Sequence, residues 1–193
     1  MGRAALQRRG VRLAARPSLL VGAAVALAAL SALVGSPASA QRTTRDACGV
    51  ERWTVKTLQD RPRLLPVREA RIAYLVSRPA PHPLPDTRLP FERHVFRVTA
   101  AVTLVRAEDD SDLHLVLSDG TRTMIAESPS PACTARATPT RRRQMAQARQ
   151  RVSLCIRAVV TGVAFFDFKH GQTGVAPNAI ELHPVLAFHC LVI

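Results

Sequence analysis

Aromatic side chains are scarce in this sequence, with one Trp, one Tyr and six Phe among 193 residues. Barrels that grip single-stranded nucleic acid need aromatics interleaved with bases along a groove. After residue 91 only Phe91, Phe96, Phe165, Phe166, Phe168 and Phe188 are on offer, and a core claims most of them. Lysine is nearly missing too: Lys56 and Lys169 stand against 25 Arg, a bias that codon composition explains better than function does. No period of 20–50 residues recurs, which excludes solenoids and propellers. There is no H-E-x-x-H signature, no phosphate-cradling Gly-rich loop and no Gly-x-Ser-x-Gly elbow. No motif therefore names a metal, a cofactor or a nucleophile.

Acids are outnumbered, 14 Asp and Glu against 27 Lys and Arg. Hydrophobic residues make up 47% of the chain, too many for a wholly disordered one and enough for one domain's core.

The first forty residues read as an address. Arg3, Arg8, Arg9, Arg12 and Arg16 form a basic start without an acid, and an uncharged Ala/Leu/Val run from Leu19 to Val34 follows. Pro37-Ala38-Ser39-Ala40 then supplies small residues in the A-x-A cleavage pattern. Residues 1–40 are expected to be a signal peptide, cleaved near Ala40, that exports the rest to the periplasm, envelope or medium. The alternative is an uncleaved anchor, because 24 uncharged residues suffice to span a bilayer. Arg8-Arg9 loosely fits a twin-arginine signal and leaves the route open. After cleavage no stable membrane insertion is expected. The mature chain keeps 22 bases against 14 acids. Such a field attracts anionic polymers or envelope components, although an Arg-rich surface also serves solubility alone.

Four cysteines, Cys48, Cys133, Cys155 and Cys190, all follow the leader. An even number in an oxidising compartment favours disulfides, and no pair has the close spacing of a zinc knuckle. Cys48 precedes the core and Cys133 lies in a Pro-rich loop, whereas Cys155 and Cys190 flank strand-like segments. Of three possible pairings, 48–133 with 155–190 is expected.

Residues 41–90 form an extension rich in proline. Val67–Val76 could make a short helix with Pro66 in its first turn, and the stretch from Pro79 to Pro85 should be an extended surface strap. From residue 91 to 193 the pattern changes. His94–Arg106 alternates, with Phe96, Val98, Ala100, Val102 and Leu104 on one face. Leu113–Ser118 and Arg122–Glu127 are two more strands, joined by a turn at Ser118-Asp119-Gly120. A helix capped by Thr138 carries Met145, Ala148 and Val152 on one face. Ile156–Phe168 is a long strand interrupted by Gly162, and Ile180–Phe188 is the last, with Pro184 marking a bulge or an edge. Three strands, a helix and two strands is the order of an oligonucleotide/oligosaccharide-binding (OB) barrel. The expected fold is mainly β: a five-stranded OB-like barrel with one helix between strands 3 and 4, after a Pro-rich extension. An antiparallel α+β sandwich is the alternative.

Two tracts, Glu51–Leu58 (ERWTVKTL) and Phe165–Pro184 (FFDFKHGQTGVAPNAIELHP), resemble a family of exported bacterial proteins. The resemblance covers most of residues 48–188. It implies the compartment and an OB-like barrel, and it brings no activity.

Candidate chemistry gathers around the last two strands. Asp167, His170, Glu181 and His183, with His189 nearby, could surround a divalent cation or act as acid and base. Glu181 and His183 are two apart and share a strand face. The plainer expectation has Asp167 and His170 organising the Gly171/Gly174 loop while Glu181 and His183 sit on a solvated face. Asp109-Asp110-Ser111-Asp112 lacks the Gly and distal Glu of a calcium loop and reads as a solvated hairpin tip. His114, alone, earns no role. Arg141, Arg142 and Arg143 suit phosphate, but consecutive helical residues diverge by about 100° each and make no focused patch. The function expected is therefore a non-catalytic binding or interaction domain, with an anionic polymer as the ligand that its charge suggests. A small metal-dependent hydrolase or nuclease is the alternative.

Overall fold

The computed structural model describes residues 47–193; the leader, its cleavage site and the anchor alternative lie outside them. Six strands and three short helices follow one another in the order α1 (Trp53–Lys56), β1 (Val67–Glu69), α2 (Ile72–Val76), β2 (Val95–Ala107), β3 (Leu113–Ser118), β4 (Thr123–Ser128), α3 (Pro139–Arg149), β5 (Cys155–Phe166) and β6 (Ile180–Val192). Strands β2 to β6 close on themselves. β2 pairs antiparallel with β3 and with β5, β3 with β4, and β5 with β6, while β4 and β6 run parallel. This is a five-stranded OB barrel with α3 between its third and fourth strands, and the α+β sandwich is set aside.

Closure hides the edges of a sheet whose long members, β2 and β6, have 13 residues each. The seams are unequal. The β4–β6 seam holds only Ile125 opposite Glu181 and Ala126 opposite Leu182.

Alternation along β2 buries Phe96, Val98, Ala100 and Val102, as the period of two requires. Leu104 is only half-buried, because the register slips between Val102 and Leu104 and Val105 packs against the core in its place. Between β5 and β6 one residue, Val163, opposes two, His183 and Pro184, so Pro184 sits at a bulge. Thr138 Oγ1 accepts from Arg141 N and caps α3, which turns Met145 and Ala148 into the core.

Val67–Val76 is not one helix. Val67–Glu69 is a short exposed strand pairing parallel with β2, and only Ile72–Val76 is helical. The β-branched start found hydrogen-bond partners on the free edge of β2, which outweighed the helix-favouring position of Pro66. The strap after Pro79 has no regular structure, but its end is anchored: Leu84 and Leu89 pack on the core. β5 stops at Phe166 and β6 runs to Val192.

Both expected disulfides are present, Cys48–Cys133 and Cys155–Cys190. Among the described residues no helix is long and apolar enough to cross a membrane.

Candidate functional site

The β2–β3 loop (108–112) and the β5–β6 loop (167–179) face each other at one mouth of the barrel. Between them lie two neighbouring cavities. One, of about 180 Å³, is lined by Lys56, Glu108, Asp110, Glu127, Asp167, His170 and Gln172 among others. The other, of about 580 Å³, is lined by Arg106, Glu108, Asp109, Asp110, His170 and Gln172 among others.

The long β5–β6 loop is held locally. Asp167 Oδ1 accepts from Phe168 N, His170 N donates to Gln172 Oε1, and Gln172 Nε2 donates to Phe168 O. Lys169 Nζ donates to Pro177 O. Asn178 Nδ2 reaches out to the carbonyls of Leu75 and Arg78, both at 2.9 Å, and ties the loop to the end of α2. Gly174, at φ +81°, passes so close to β3 that a Cβ there would lie 2.5 Å from Val116 Cγ2. The loop thus covers the outer face of β3, and His114 and Val116 are buried although they alternate with Leu113, Leu115 and Leu117.

Under this cover lies a cluster of ionisable groups. His114 Nε2 is 2.9 Å from Thr173 O, and a carbonyl only accepts, so that nitrogen carries a proton. His114 Nδ1, 3.1 Å from Glu127 Oε1, must carry one as well to bond a carboxylate. Burial opposes that charge, but the bonds to Glu127 and Thr173 hold the His114 pKa above its ordinary value. The second Glu127 oxygen, Oε2, is 3.0 Å from His183 Nδ1. His183 Nε2 is 3.2 Å from Asp112 Oδ2, and Nδ1 is 3.9 Å from Glu181 Oε2. Burial works against a charged His183, and contacts with Asp112, Glu127 and Glu181 overcome it and raise its pKa well above the usual range. Burial would also raise Glu127, yet its bond to His114 and the charge of His183 close by hold it well below the usual carboxylate range. Glu181 goes the other way: burial and the neighbouring Glu127 charge push it up to about 8.

Nearer the cavity, Lys56 Nζ meets Asp167 Oδ2 at 2.8 Å. Burial disfavours the Lys56 charge, but Asp167, Glu181 and Glu127 together raise its pKa. Asp110 is raised by burial and by the Asp112 charge.

Of the four catalytic candidates, Asp167 and His170 line the cavity and brace the loop, as the plainer expectation has it. The solvated face expected for Glu181 and His183 is wrong: they are 1% and 0% exposed. The parallel β4–β6 seam and the loop over β3 seal their side of the strand. The hairpin-tip reading of residues 109–112 holds for exposed Asp109 and fails for Asp112, which is 0% exposed. His189 is exposed near the end of β6. On α3, Arg142 and Arg143 are exposed, whereas Arg141 is half-buried and donates to Gln144.

Sequence reasoning missed Lys56, Asp112, His114 and Glu127 as site residues. One signal could have found two of them. With the turn at Ser118-Asp119-Gly120 pairing Ser118 with Thr123, counting back places His114 opposite Glu127.

No protein-family description and no curated protein matches the chain. Solved structures do. An asparaginyl-tRNA synthetase of Entamoeba histolytica is 10% identical over 66% of this chain and 24% of its own, with a TM-score of 0.38. An aspartyl-tRNA synthetase of the same organism is 14% identical over 68% of this chain and 27% of its own, TM-score 0.38. A protein of Leishmania major Friedlin assigned as an aspartyl-tRNA synthetase is 15% identical over 65% and 21%, TM-score 0.42. This chain spans about a quarter of the length of those proteins, and at these scores the likeness carries no argument about function.

Proposed function

We infer that the protein is a non-catalytic binding domain of the exported compartment that takes a positively charged ligand in the groove between the β2–β3 and β5–β6 loops. The lining of the groove carries this reading. Its two strong bases are already matched, Lys56 by Asp167 and Arg106 by Glu108, and Glu127 is matched by His114, which leaves Glu51, Asp109 and Asp110 as lining carboxylates without a salt bridge among the described residues. In an OB barrel these loops flank the ligand-binding face. Carboxylates there focus a negative field on a chain that is basic elsewhere. Export is supported by the two disulfides, which persist in oxidising compartments, and by the leader pattern of residues 1–40.

An anionic polymer, the partner that overall charge suggests, is repelled by this groove and would meet exposed Arg142 and Arg143 on α3 instead. A hydrolase built on Asp167, His170, Glu181 and His183 is less well supported. Lys56 neutralises the first, the second is on an exposed loop, and the last two are sealed from substrate.

Fluorescence anisotropy with a labelled oligolysine peptide and a labelled oligodeoxythymidine tests the reading. The peptide should bind, and Asp109→Asn with Asp110→Asn should weaken it while Arg142→Ala with Arg143→Ala does not. Binding of the oligonucleotide alone, abolished by the arginine changes, would move the site to α3 and overturn it.

A further inference from the structure

Beneath the groove, Asp112, Glu127 and His183 present ligand atoms within 4.8 Å of one another, all three residues buried. They come from three separate segments: the end of the β2–β3 loop, β4 and β6. We propose that these three side chains hold one divalent cation of the Zn²⁺ class, which clasps the barrel at its β4–β6 seam. This goes beyond the groove's ligand and stands whichever molecule occupies the groove.

Unsatisfied polar atoms are the observation that points to an ion. Among the described residues neither carboxylate oxygen of Asp112 has a hydrogen-bond partner, although the residue is 0% exposed. The same is true of both ring nitrogens of His183 and of Glu181 Oε2 beside it. The Asp112–His183 and Glu127–His183 contacts, at 3.2 and 3.0 Å, are close enough for hydrogen bonds but too poorly aligned to be counted as such. Buried polar groups are almost always paired, and leaving several orphaned together is costly. A cation placed among them satisfies them without needing a donor hydrogen. The neighbouring His114–Glu127 pair makes the contrast: it is hydrogen-bonded on both ring nitrogens and needs nothing more.

The donor chemistry selects the ion. Two carboxylates and an imidazole form a mixed oxygen–nitrogen set, with Glu181 adjacent as a fourth donor. Ca²⁺ requires six to eight oxygens, which this interior does not gather. Zn²⁺ is content with four N and O ligands at about 2.0–2.2 Å, a distance that small side-chain rotations reach from the observed spacing. Asp112 and His183 are 0% exposed and Glu127 only 5%, so such an ion has no open position for substrate and its role is structural.

Position explains what the ion would do. β4 and β6 share two register pairs, the fewest of the barrel's five seams. Glu127 follows the first strand's paired residues, and His183 follows the second's. A cation binding both, and pinning the β2–β3 loop through Asp112, closes the seam where backbone hydrogen bonds run out.

The test uses the untagged full chain, exported and oxidised, stripped with EDTA and titrated calorimetrically with ZnCl₂, MnCl₂ and CaCl₂. One Zn²⁺ per chain should bind at micromolar or tighter affinity, with Ca²⁺ far weaker, and Zn²⁺ should raise the melting temperature. Asp112→Asn should weaken Zn²⁺ by at least about tenfold, and His189→Ala, an exposed histidine, should not. If Asp112→Asn does not fold, Co²⁺ bound to the wild type decides: visible bands of a tetrahedral N/O site support the proposal, and an octahedral spectrum overturns it. Absence of stoichiometric Zn²⁺ binding to the wild type overturns it as well. So does undiminished binding in a folded Asp112→Asn, or loss of binding in His189→Ala.

Discussion

Arg52 and Glu92 face each other with no solvent exposure on either side chain, Nη1 and Nη2 lying 2.7 and 2.8 Å from the two carboxylate oxygens. The pair joins the N-terminal segment to the turn that leads into β2. Around it every strong bond is shared: Arg52 also donates to Phe166 O and Thr87 O, and Glu92 accepts from the backbone of Leu89 and Phe166. The guanidinium also lies 4.7 Å from the Phe165 ring centre.

Breaking that pair from one side leaves an uncompensated charge in the interior. Arg52→Met or Glu92→Gln should each cost about 3–5 kcal/mol, and the double change should cost less than the sum. Urea unfolding of the four proteins gives the cycle. A loss below about 1 kcal/mol in both single variants would show that water reaches the pair.

The disulfides should differ in worth. The closed segments are 85 residues for Cys48–Cys133 and 35 for Cys155–Cys190. Chain entropy then assigns about 4.6 and about 3.8 kcal/mol. Replacing both partners by Ser in each bridge, followed by chemical denaturation, checks this. A larger loss at Cys155–Cys190 would mean that constraint of the unfolded chain is not what sets the order.

Gly174 and Gly171 both have positive φ but different surroundings. A side chain at Gly174 collides with Val116, so Gly174→Val should cost about 3 kcal/mol or more. Gly171 meets nothing within 4 Å, and Gly171→Ala should cost only the backbone strain, about 1 kcal/mol. Thermal unfolding ranks the two. Equal losses would show that the loop does not lie against β3.

A fully buried His183 also reverses an expectation. On a solvated face its removal would be harmless, but among Asp112, Glu127 and Glu181 it is, in the metal-free protein, the counter-charge. His183→Ala should destabilise by about 3–5 kcal/mol. A change within about 0.5 kcal/mol in urea unfolding would return the residue to the surface.

Export is tested separately. Secreted protein should begin at Gln41, and N-terminal sequencing that finds Met1, or retains Leu19–Val34, overturns the leader reading.

Local pattern was enough for much of the architecture. Alternation in Phe96–Val102, the Asp119-Gly120 turn and the Thr138-Pro139 cap depend on neighbours within a few residues, so strands, hairpin and helix could be read from the chain, and their order named the barrel. Even the disulfide pairing followed, because strand placement put Cys155 and Cys190 together. Burial of the ionisable cluster could not be read that way. Whether Glu181 and His183 face water depends on β4 lying parallel beside β6, a contact between segments more than 50 residues apart. It depends also on the β5–β6 loop folding back over β3, where Gly174 allows the close approach and Thr173 meets His114. An acidic run such as Asp109–Asp112 has the same sequence signature whether its last carboxylate is solvated or sealed. Only closure of the barrel decided that Asp109 stays in water while Asp112 goes inside.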